Sequence, residues 1–309
     1  CGIMTGSGDD LVVNNGTITT GVVFNGVSYK STGIDTGTGN DQVVFGDGST
    51  IGCDVDLGEG NDGLTVIGSG AISGSVYGGV GTDRLTLDGA TNFSLDQTFD
   101  FESLAKLGSN TVSLTGALML EQLDVFDGVL QIDDDYQFMD TGAFSAKLYG
   151  GGSCGQLLVN GTLGLDGTMR IVRGPGAYLD GASYEVLTAD IFSGSFDEIL
   201  LPGSTALLRF GLAETGASSY LVTASTEPFA TVATNKIERS VTAHLDAIVA
   251  SARGDLSLVL GEIQAMPAAG YGRAFASLSP DSYDGSTRTS LGAADQVSQL
   301  LSSRLRSLR

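Results

Sequence analysis

Aspartates recur at one fixed spacing in the first third of the chain, and they are its best candidates for binding a cation. Asp41, Asp62 and Asp83 each follow a Gly-x-Gly pair and lie 21 residues apart. If these segments stacked, carboxylates about 5 Å apart would repel one another, and a Ca²⁺ ion between turns would relieve that repulsion. Solvent, hydrogen bonds or the adjacent Arg84 would relieve it as well. Calcium is therefore the one cofactor that the sequence suggests, with its ligands unassigned.

The same segments are similar to pieces of the calcium-binding nonapeptide G-G-x-G-x-D-x. In that repeat the nonapeptides follow one another without interruption, so the aspartate of one turn meets the carbonyls of the next. Here the motif occurs once in 21 residues. A simpler interpretation is that each aspartate caps its turn through hydrogen bonds to the backbone, and both interpretations stay open.

A second acidic group, Asp133-Asp134-Asp135, is the densest run of carboxylates in the chain. In β-helical enzymes that cleave polysaccharides, aspartates bind calcium while a nearby arginine or lysine abstracts a proton. We expect a solvated turn here, because the available basic residues lack a diagnostic spacing. A carbohydrate-active enzyme, either a polysaccharide lyase or a hydrolase, is kept as the alternative function. The basic residues in question are Lys106, Lys147, Arg170 and Arg173.

The sequence gives little support for a nucleophilic active site or for a cofactor-binding site. His244 is the only histidine and lies outside the repeats, so the repeats contain no Ser–His or Cys–His pair. Cys1, Cys53 and Cys154 are far apart and odd in number, which indicates neither a disulfide framework nor a metal site. No helix is expected after the Gly-x-Gly pairs, so they are not phosphate-binding loops. The sequence assigns no catalytic or cofactor-binding residue and predicts that the protein is not an enzyme.

The composition is that of a turn-rich β protein. The 309 residues include 46 glycines, five prolines and no tryptophan. The residues before 229 carry the negative charge behind the net value of −21. Residues 229–309 are almost neutral, because they contain eight Lys or Arg and seven Asp or Glu. Such an acidic surface repels nucleic acid, so no nucleic-acid partner is expected. No apolar run is long enough for a transmembrane helix.

An internal repeat of 21 residues governs the first part of the chain. Gly33–Cys53, Asp54–Gly74 and Ser75–Leu95 align without a gap. The start of the chain fits the same pattern with Ile3 in the place of Ile34, a displacement longer than one repeat, which implies an insertion. One repeat cannot bury its apolar face alone, but stacked repeats can. We expect residues 1–225 to form a parallel β-helix (a solenoid) of about ten turns, with Cys53 buried. The aligned columns are Ile34/Val55/Val76, Gly37/Gly58/Gly79, Gly39/Gly60/Gly81, Val43/Leu64/Leu85, Phe45/Val66/Leu87 and Ile51/Ile72/Phe93, with Ile3, Gly6, Gly8, Asp10 and Val12 in the first turn.

After Glu227-Pro228 the apolar spacing becomes helical. Residues 226–309 are predicted to be an α-helical segment, either a connector or a cap over the end of the sheets. Pro267 and Gly270 should end the first helical stretch, Ser279 should cap a helix begun by Pro280, and a last helix is expected over Ser286–Leu308. The predicted apolar stripes are Ile237, Val241, Leu245, Ile248, Val249, Leu256, Leu260 and Ile263, and then Leu291, Val297, Leu300, Leu301 and Leu305.

Several phrases in the second half resemble the passengers of autotransporters, the proteins of type V secretion. Gly155–Ala224 is similar to the junction, or autochaperone, region that ends such passengers, here residues 155–225. Each phrase is weak alone, but their order covers more than half of the chain. The other phrases are Phe101–Gly108 with Asn110–Gly116, Val125–Ile132, Phe229–Lys236, Ala243–Asp246 and Leu278–Tyr283.

This resemblance implies an exported, right-handed parallel β-helix on the bacterial outer-membrane surface, followed by a helical linker and a β-barrel translocator as its partner. The sequence stops at Arg309, before such a barrel. A shortened chain, proteolytic release and assembly without a translocator all stay open. The expected function is structural, adhesive or self-assembling, with self-association or contact with other components of the extracellular surface.

Overall fold

The computed structural model describes residues 2–19, 21–24, 27–30, 32–89, 98–114, 119–215 and 218–279. Over these residues the fold is mainly β, with several parallel sheets and a short helical part near the C-terminus. The elements are β1 (Ile3–Met4), β2 (Leu11–Asn14), β3 (Thr17–Ile18), β4 (Gly21–Phe24), β5 (Val27–Lys30), β6 (Thr32–Asp35), β7 (Gln42–Phe45), β8 (Thr50–Ile51), β9 (Asp54–Asp56), β10 (Gly63–Ile67), β11 (Ala71–Ile72), β12 (Val76–Tyr77), β13 (Arg84–Asp88), β14 (Thr98–Phe99), β15 (Ser103–Leu107), β16 (Thr111–Leu114), β17 (Gln122–Val125), β18 (Gly128–Ile132), β19 (Tyr136–Gln137), β20 (Ala143–Leu148), β21 (Gly155–Leu165), β22 (Thr168–Arg173), β23 (Ser183–Gly194), β24 (Glu198–Leu200), β25 (Leu208–Thr215), β26 (Ser219–Thr226), α1 (Lys236–Ile248), α2 (Gly254–Gln264) and α3 (Tyr271–Ser277).

Strands from successive repeats pair in parallel, with equivalent residues opposite one another. The longest sheet has nine strands in the order β2-β7-β10-β13-β15-β17-β20-β22-β24. In it Leu64 lies opposite both Val43 and Leu85, as the repeat predicts. A five-stranded sheet, β1-β6-β9-β12-β14, and a three-stranded sheet, β11-β8-β3, keep the same alignment. The stacking of residues 33–88 predicted from the repeat is therefore confirmed at the level of strand register.

The displacement at the start of the chain has a visible cause. Ile3 pairs with Ile34 and Val12 pairs with Val43, so the two residues of each pair are separated by more residues than one repeat contains. Between β3 and β6 the chain makes an antiparallel hairpin of β4 and β5. This hairpin accommodates the extra residues, so the predicted insertion is confirmed. In the column Ile51/Ile72/Phe93, Ile51 and Ile72 pair as predicted, and Phe93 lies outside the described residues.

The 21-residue spacing does not continue beyond the third repeat. Arg84 pairs with Ser103, which is a shorter spacing than the repeat, whereas Thr168 pairs with Glu198, which is a longer one. The later turns contain long strands, 11 residues in β21 and 12 in β23, and therefore need more chain per turn. β23 also pairs with β26 in antiparallel orientation, so the parallel pattern ends there.

The inward columns of these sheets are aliphatic and free of water. Ile34, Val43, Leu64 and Val66 are 0% exposed, which is the burial that drives stacking. Cys53 is also 0% exposed and forms no disulfide, as expected for a small apolar residue. Farther along, the core becomes aromatic, with rings 5.0–6.1 Å apart among Tyr136, Phe138, Phe144, Phe196, Phe192 and Tyr220.

The chain divides into two compact units, and the second contains residues 176–180, 204–209 and 225–309. Helix α1 begins with a capping box: Asn235 accepts a hydrogen bond from the backbone N–H of Glu238, whose carboxylate accepts one from the backbone of Thr234. None of the helices among the described residues has the length and apolarity needed to span a bilayer. The core of this unit contains Ala177, Leu207, Phe229, Val241, Leu245, Ala252, Leu260, Ile263, Tyr271 and Phe275.

The predictions for the helical segment are confirmed only in part. Ile237 and Leu256 were expected on the buried stripe, but they are 51% and 43% exposed. The stripe is interrupted because a 3₁₀ turn and Gly254, with φ +55°, separate α1 from α2. α3 was not predicted, since its seven residues are too few to show a helical period. Ser279, the expected N-cap, is described and buried, but the helix expected to begin at Pro280 and the last helix expected at Ser286–Leu308 lie outside the described residues.

The corner glycines supply the first test. A Cβ on Gly60 would lie 1.7 Å from the Gly39 carbonyl oxygen, whereas a Cβ on Gly48 would meet nothing within 4 Å, although both residues have positive φ. We expect Gly60→Ala to lower the free energy of unfolding by about 3 kcal/mol or more, and Gly48→Ala by about 1 kcal/mol. Urea denaturation of both variants measures the difference, and equal losses would contradict the close stacking of turns.

Candidate functional site

The Gly-x-Gly-Asx-Asp corner is where successive turns contact each other most closely. Gly58 and Gly60 have φ values of +94° and +148°, a conformation that L side chains rarely adopt. Where a Cβ would stand on Gly58, the carbonyl oxygen of Gly37 lies only 2.0 Å away. Glycine is therefore required twice, for the backbone conformation and for the room that the neighbouring turn occupies.

One column of side chains forms what we call the inner ladder, made of Asp10, Asp41, Asp62, Asp83 and Glu102. Each carboxylate after the first accepts a hydrogen bond from the backbone N–H of the equivalent residue one turn earlier. The N···O distances are 2.8 Å from Asp10 to Asp41, 2.7 Å from Asp41 to Asp62, 2.7 Å from Asp62 to Asp83 and 2.6 Å from Asp83 to Glu102. The aspartates thus hold neighbouring turns together rather than capping only their own turn.

The residues just before them form an outer ladder of opposite polarity. Here each side chain accepts from the backbone N–H of the following turn: Asp9 from Asn40 at 2.8 Å, Asn40 from Asn61 at 2.9 Å, and Asn61 from Thr82 at 2.9 Å. This column is exposed to solvent. Each pair of neighbouring turns in the repeat is therefore joined by two side chain–backbone hydrogen bonds that run in opposite directions.

Burial of the carboxyl groups of the inner ladder is electrostatically unfavourable. Asp41 and Asp83 are 0% exposed and Asp62 is 3% exposed, and the Oδ2 atom of each has no hydrogen-bond partner. Burial raises the pKa of Asp83 to about 6, with a further contribution from the negative charges of Asp62, Glu102 and Asp100. Burial likewise raises the pKa of Asp62, and the charge of Asp41 adds to it. Stacking therefore disfavours the charged form of Asp62 and Asp83 relative to a solvated carboxyl.

Arg84, which could have neutralised Asp83, points elsewhere. Its Nη2 lies 3.1 Å from Asp124 Oδ2. Asp124 also accepts a hydrogen bond from Gln122, whose amide donates to Ser145 as well. The sequence did not reveal this outward-facing network, because its members come from three strands that are far apart in the chain.

The calcium hypothesis stays a prediction. The described residues contain no group of three or more His, Cys, Asp or Glu arranged to hold a metal ion. In the inner ladder the Oδ1 atoms already accept backbone hydrogen bonds, which leaves one unused carboxylate oxygen on each turn. Hydrogen bonding, one of the alternatives to calcium, thus accounts for one of the two carboxylate oxygen atoms of Asp41, Asp62 and Asp83.

The Asp133–Asp135 run is an exposed turn, as expected. Asp133 Oδ1 accepts hydrogen bonds from Gln131 at 2.7 Å and from Asn160 at 2.6 Å. Asp135 Oδ1 accepts one from the backbone of Thr162 at 2.6 Å. These carboxylates hold two turns together, in the same manner as the ladders.

Of the candidate bases, Lys106 has a structural position. It is fully buried, and its ammonium donates to the carbonyl oxygens of Leu107, Gly108 and Asp127 and to the side chain of Asn110. Burial lowers the pKa of this lysine, while the nearby Asp127 and Asp88 oppose the shift. Its spacing from Leu104 in β15 was the only sequence sign that it points inward.

The remaining candidates are dispersed. Lys147 Nζ lies 5.4 Å from the ring centre of Tyr149 and 5.9 Å from that of Phe126. His244 and Arg170 are exposed, and Arg173 is half-buried. Cys154 has no disulfide partner, and burial raises the pKa of its thiol to about 11, so it is not an activated nucleophile.

Comparison with known sequences finds no relative: no protein-family model matches the chain, and no curated protein matches it.

The inner ladder predicts an unusual dependence of stability on pH. Because the pKa of Asp83 is about 6 when folded and near 3.9 when unfolded, the folded state binds more protons between these values, and this carboxyl makes the free energy of unfolding fall as pH rises through that window. Asp83→Asn keeps the acceptor oxygen without the charge. We expect the variant to be more stable than the natural chain at pH 8, with the difference shrinking toward pH 4.

Chemical denaturation across this pH range measures the difference. Asn61→Asp, in the exposed outer ladder, is the matched control and should show no comparable change between pH 5 and 8. A loss of stability on Asp83→Asn that is equally large at pH 8 and at pH 4 would contradict the prediction, because the charge of Asp83 would then not be the cause.

Lys106 supplies a third test. Lys106→Met removes the ammonium donor from the carbonyl oxygens of Gly108 and Asp127, while that of Leu107 keeps the Gly89 N–H, so we expect the free energy of unfolding to fall by about 3 kcal/mol. Lys147→Met, at a half-buried lysine whose ammonium lies near the rings of Phe126 and Tyr149, should cost less than about 1 kcal/mol. Equal effects in thermal and urea unfolding would show that the buried ammonium contributes no special stabilisation.

Proposed function

We propose that this chain is part of an exported, non-catalytic passenger of the autotransporter type, and that its parallel sheets coil as a right-handed β-helix. Its role is structural, adhesive or self-assembling at the extracellular face of a bacterial outer membrane. The observation that carries the proposal is the in-register stacking of successive turns, with Leu64 between Val43 and Leu85. A surface built from one repeated contact serves shape and adhesion better than it serves catalysis.

Turn-by-turn stacking also suits export. A passenger that crosses a membrane as an extended chain has to fold from one end without distant partners. Here each new turn finds its hydrogen-bond partners in the turn beside it, through the two ladders and the strand pairs. Folding can therefore proceed one turn at a time, as in other repeat proteins. The acidic charge keeps such a surface soluble.

The translocator partner is proposed from the sequence resemblance alone. Under this proposal residues 155–225 act as the junction region and residues 226–309 act as the helical connector or cap. The long strands β21 and β23 in that region bury an aliphatic and aromatic core, including Leu157, Leu163 and Tyr184. A well-packed final segment would favour completion of folding outside the cell.

A carbohydrate-active enzyme is the second candidate, and one observation favours it. Arg84 and Asp124 converge on the outer face of the nine-stranded sheet, as an acidic and a basic group would beside a sugar polymer. A guanidinium held in an ion pair keeps its proton, however, which makes it a poor general base. The non-catalytic role therefore has the stronger physical support.

Surface display tests the proposal. The chain is placed between a secretion signal and an outer-membrane β-barrel, and added protease then measures its exposure on intact cells. We expect it to reach the surface and resist digestion, and Gly60→Ala to reduce the protected fraction because turns no longer stack. Retention of a folded chain in the periplasm would contradict the export role. Release of oligosaccharides from acidic or neutral polysaccharides by the purified chain, lost in Arg84→Ala, would favour the enzyme.

A further inference from the structure

A small polar cleft lies where β19 pairs with β21, which pairs in turn with β23. Its volume is about 290 Å³. Gln137 lies opposite Gly164, which lies opposite Ser193, so the middle strand carries no side chain at this level. Because neighbouring strands are about 4.8 Å apart, the Cα atoms of Gln137 and Ser193 are about 10 Å apart across that strand. The lining residues are Asp135, Tyr136, Gln137, Thr162, Gly164 and Ser193.

The carboxylate of Asp135 is held in place at one side of the cleft. Its Oδ1 atom accepts a hydrogen bond from the backbone N–H of Thr162 at 2.6 Å. A Cβ on Gly161 would lie 2.7 Å from the same oxygen, so glycine there provides the room that the carboxylate occupies. Among the described residues, no hydrogen bond of the fold uses the Oδ2 atom of Asp135. This oxygen is an acceptor that a ligand can use.

The amide of Gln137 is fixed in a similar way. Its Nε2 atom donates to the Phe138 carbonyl at 2.8 Å. Its Oε1 atom lies 1.7 Å from the place where Gly164 would carry a Cβ, so the amide lies directly over this glycine. A polar group that is already held in position loses little side-chain freedom when it binds a ligand. The cleft therefore contains two preorganised acceptors, each accommodated by a glycine.

Two hydroxyl groups and one apolar side chain complete the surroundings. The hydroxyls of Thr162 and Ser193 can each donate and accept, and within the described part of the chain no hydrogen bond of the fold uses them. Ile191 lies opposite Thr162 on the neighbouring strand and is 59% exposed, which provides an apolar surface beside the cleft. Fixed acceptors, hydroxyls and an apolar surface are what a pyranose ring requires, because it has hydroxyls around its edge and C–H groups on its faces.

The charge of the cleft selects among sugars. Its lining contains one carboxylate and no lysine or arginine. Asp133 and Asp134, which precede Asp135, add negative charge on the same exposed turn. A uronic acid or a phosphorylated sugar would be repelled, whereas a neutral sugar would not. One lining carboxylate is also too few for glycoside hydrolysis, which typically uses a pair.

We propose that this cleft is a binding subsite for one neutral pyranose unit of a glycan, and that it binds the sugar without cleaving it. A volume of about 290 Å³ is at the lower end of the range for ligand sites, which fits a single ring. The inference rests on the proposed function for its biological meaning, because it gives the adhesive role a ligand class. The binding itself can be measured on the purified chain.

The probes are the methyl pyranosides of glucose, galactose and mannose, with methyl glucuronide as the acidic counterpart. Each is titrated into the full chain and followed by saturation-transfer NMR. We expect saturable binding of at least one neutral glycoside with a Kd of about 1 to 10 mM, as is reasonable for a small ligand in an open cleft. The glucuronide should bind at least about tenfold more weakly, because Asp135 repels its carboxylate.

Two pairs of variants locate the site. Asp135→Asn keeps an acceptor for Thr162 but replaces the second carboxylate oxygen by a donor, and should weaken binding of the neutral glycoside at least about fivefold. Asp134→Asn, on the same turn but outside the lining, is the matched control and should change the Kd less than about twofold.

The second pair tests the position of the Gln137 amide. Gly164→Ala places a Cβ where this amide lies, and the flexible side chain can move away, so the fold should be kept while the acceptor is displaced. Gln137→Ala removes the acceptor. Each variant should weaken binding at least about threefold, and the double variant should bind no more weakly than either one, because Gly164 acts through Gln137.

Four outcomes would overturn the proposal. They are no saturable binding of any neutral glycoside by a chain that circular dichroism shows to be folded, equal binding of the glucuronide, equal effects of Asp135→Asn and Asp134→Asn, and additive losses from Gly164→Ala and Gln137→Ala. Should Gly164→Ala unfold the chain, the aspartate pair still decides. A displayed chain that binds no sugar refutes this inference alone, whereas a chain that binds sugar but stays in the periplasm refutes the export role alone.

Discussion

The structure of the repeat depends on one constraint: at each corner, part of the hydrogen bonding of a turn is supplied by the side chain of its neighbour. Asp62 satisfies the N–H of Asp41, and Asn40 satisfies that of Asn61. The glycines matter for the same reason, because the carbonyl of one turn lies where the next would carry a Cβ. Neither contact exists within a single repeat, so a lone turn would leave buried polar groups unsatisfied. Stability is therefore a property of pairs of turns.

Both ladders provide acceptors for backbone N–H groups of a neighbouring turn, but they do so in different environments. The outer ladder is exposed, and aspartate, asparagine and threonine all occur in it. The aspartates of the inner ladder are buried in the repeat, so each carboxyl loses hydration and lies near another of its kind. Asparagine would donate as well as accept, and its NH₂ group would need an acceptor at the place where Oδ2 has no partner. A carboxyl that gains a proton faces a milder form of the same problem. An ionised carboxyl loses hydration that its backbone hydrogen bond replaces only in part, which is a physical reason for the raised pKa values of Asp62 and Asp83.

The part of the fold that could be predicted is the part in which every turn has the same length. Val43, Leu64 and Leu85 align by counting because nothing is inserted between them. Farther along, the number of residues between paired strands changes from one pair to the next. The strands still pair, but a fixed 21-residue offset no longer predicts which residues lie opposite each other. Lys106 was considered as a base because it is one of the few basic residues near the Asp133–Asp135 run in sequence, whereas the fold surrounds its ammonium with carbonyl oxygens. The polarity of the ladders is a matter of side-chain direction, on which residue spacing carries no information.

The same constraint connects the chemistry of the corner with the role proposed for the chain. A site for catalysis needs a few residues that differ from their surroundings, but in the repeat the most unusual groups, the buried aspartates, recur at equivalent positions and already accept backbone hydrogen bonds. The raised pKa values of Asp62 and Asp83 arise from burial and neighbouring carboxylates and need no substrate to explain them. Arg84 and Asp124 are the exception, since this ion pair does not recur at equivalent positions of the repeat and faces outward. A function in recognition would therefore lie on the outer face, where the repeat permits variation, while the corners maintain the stack that presents it.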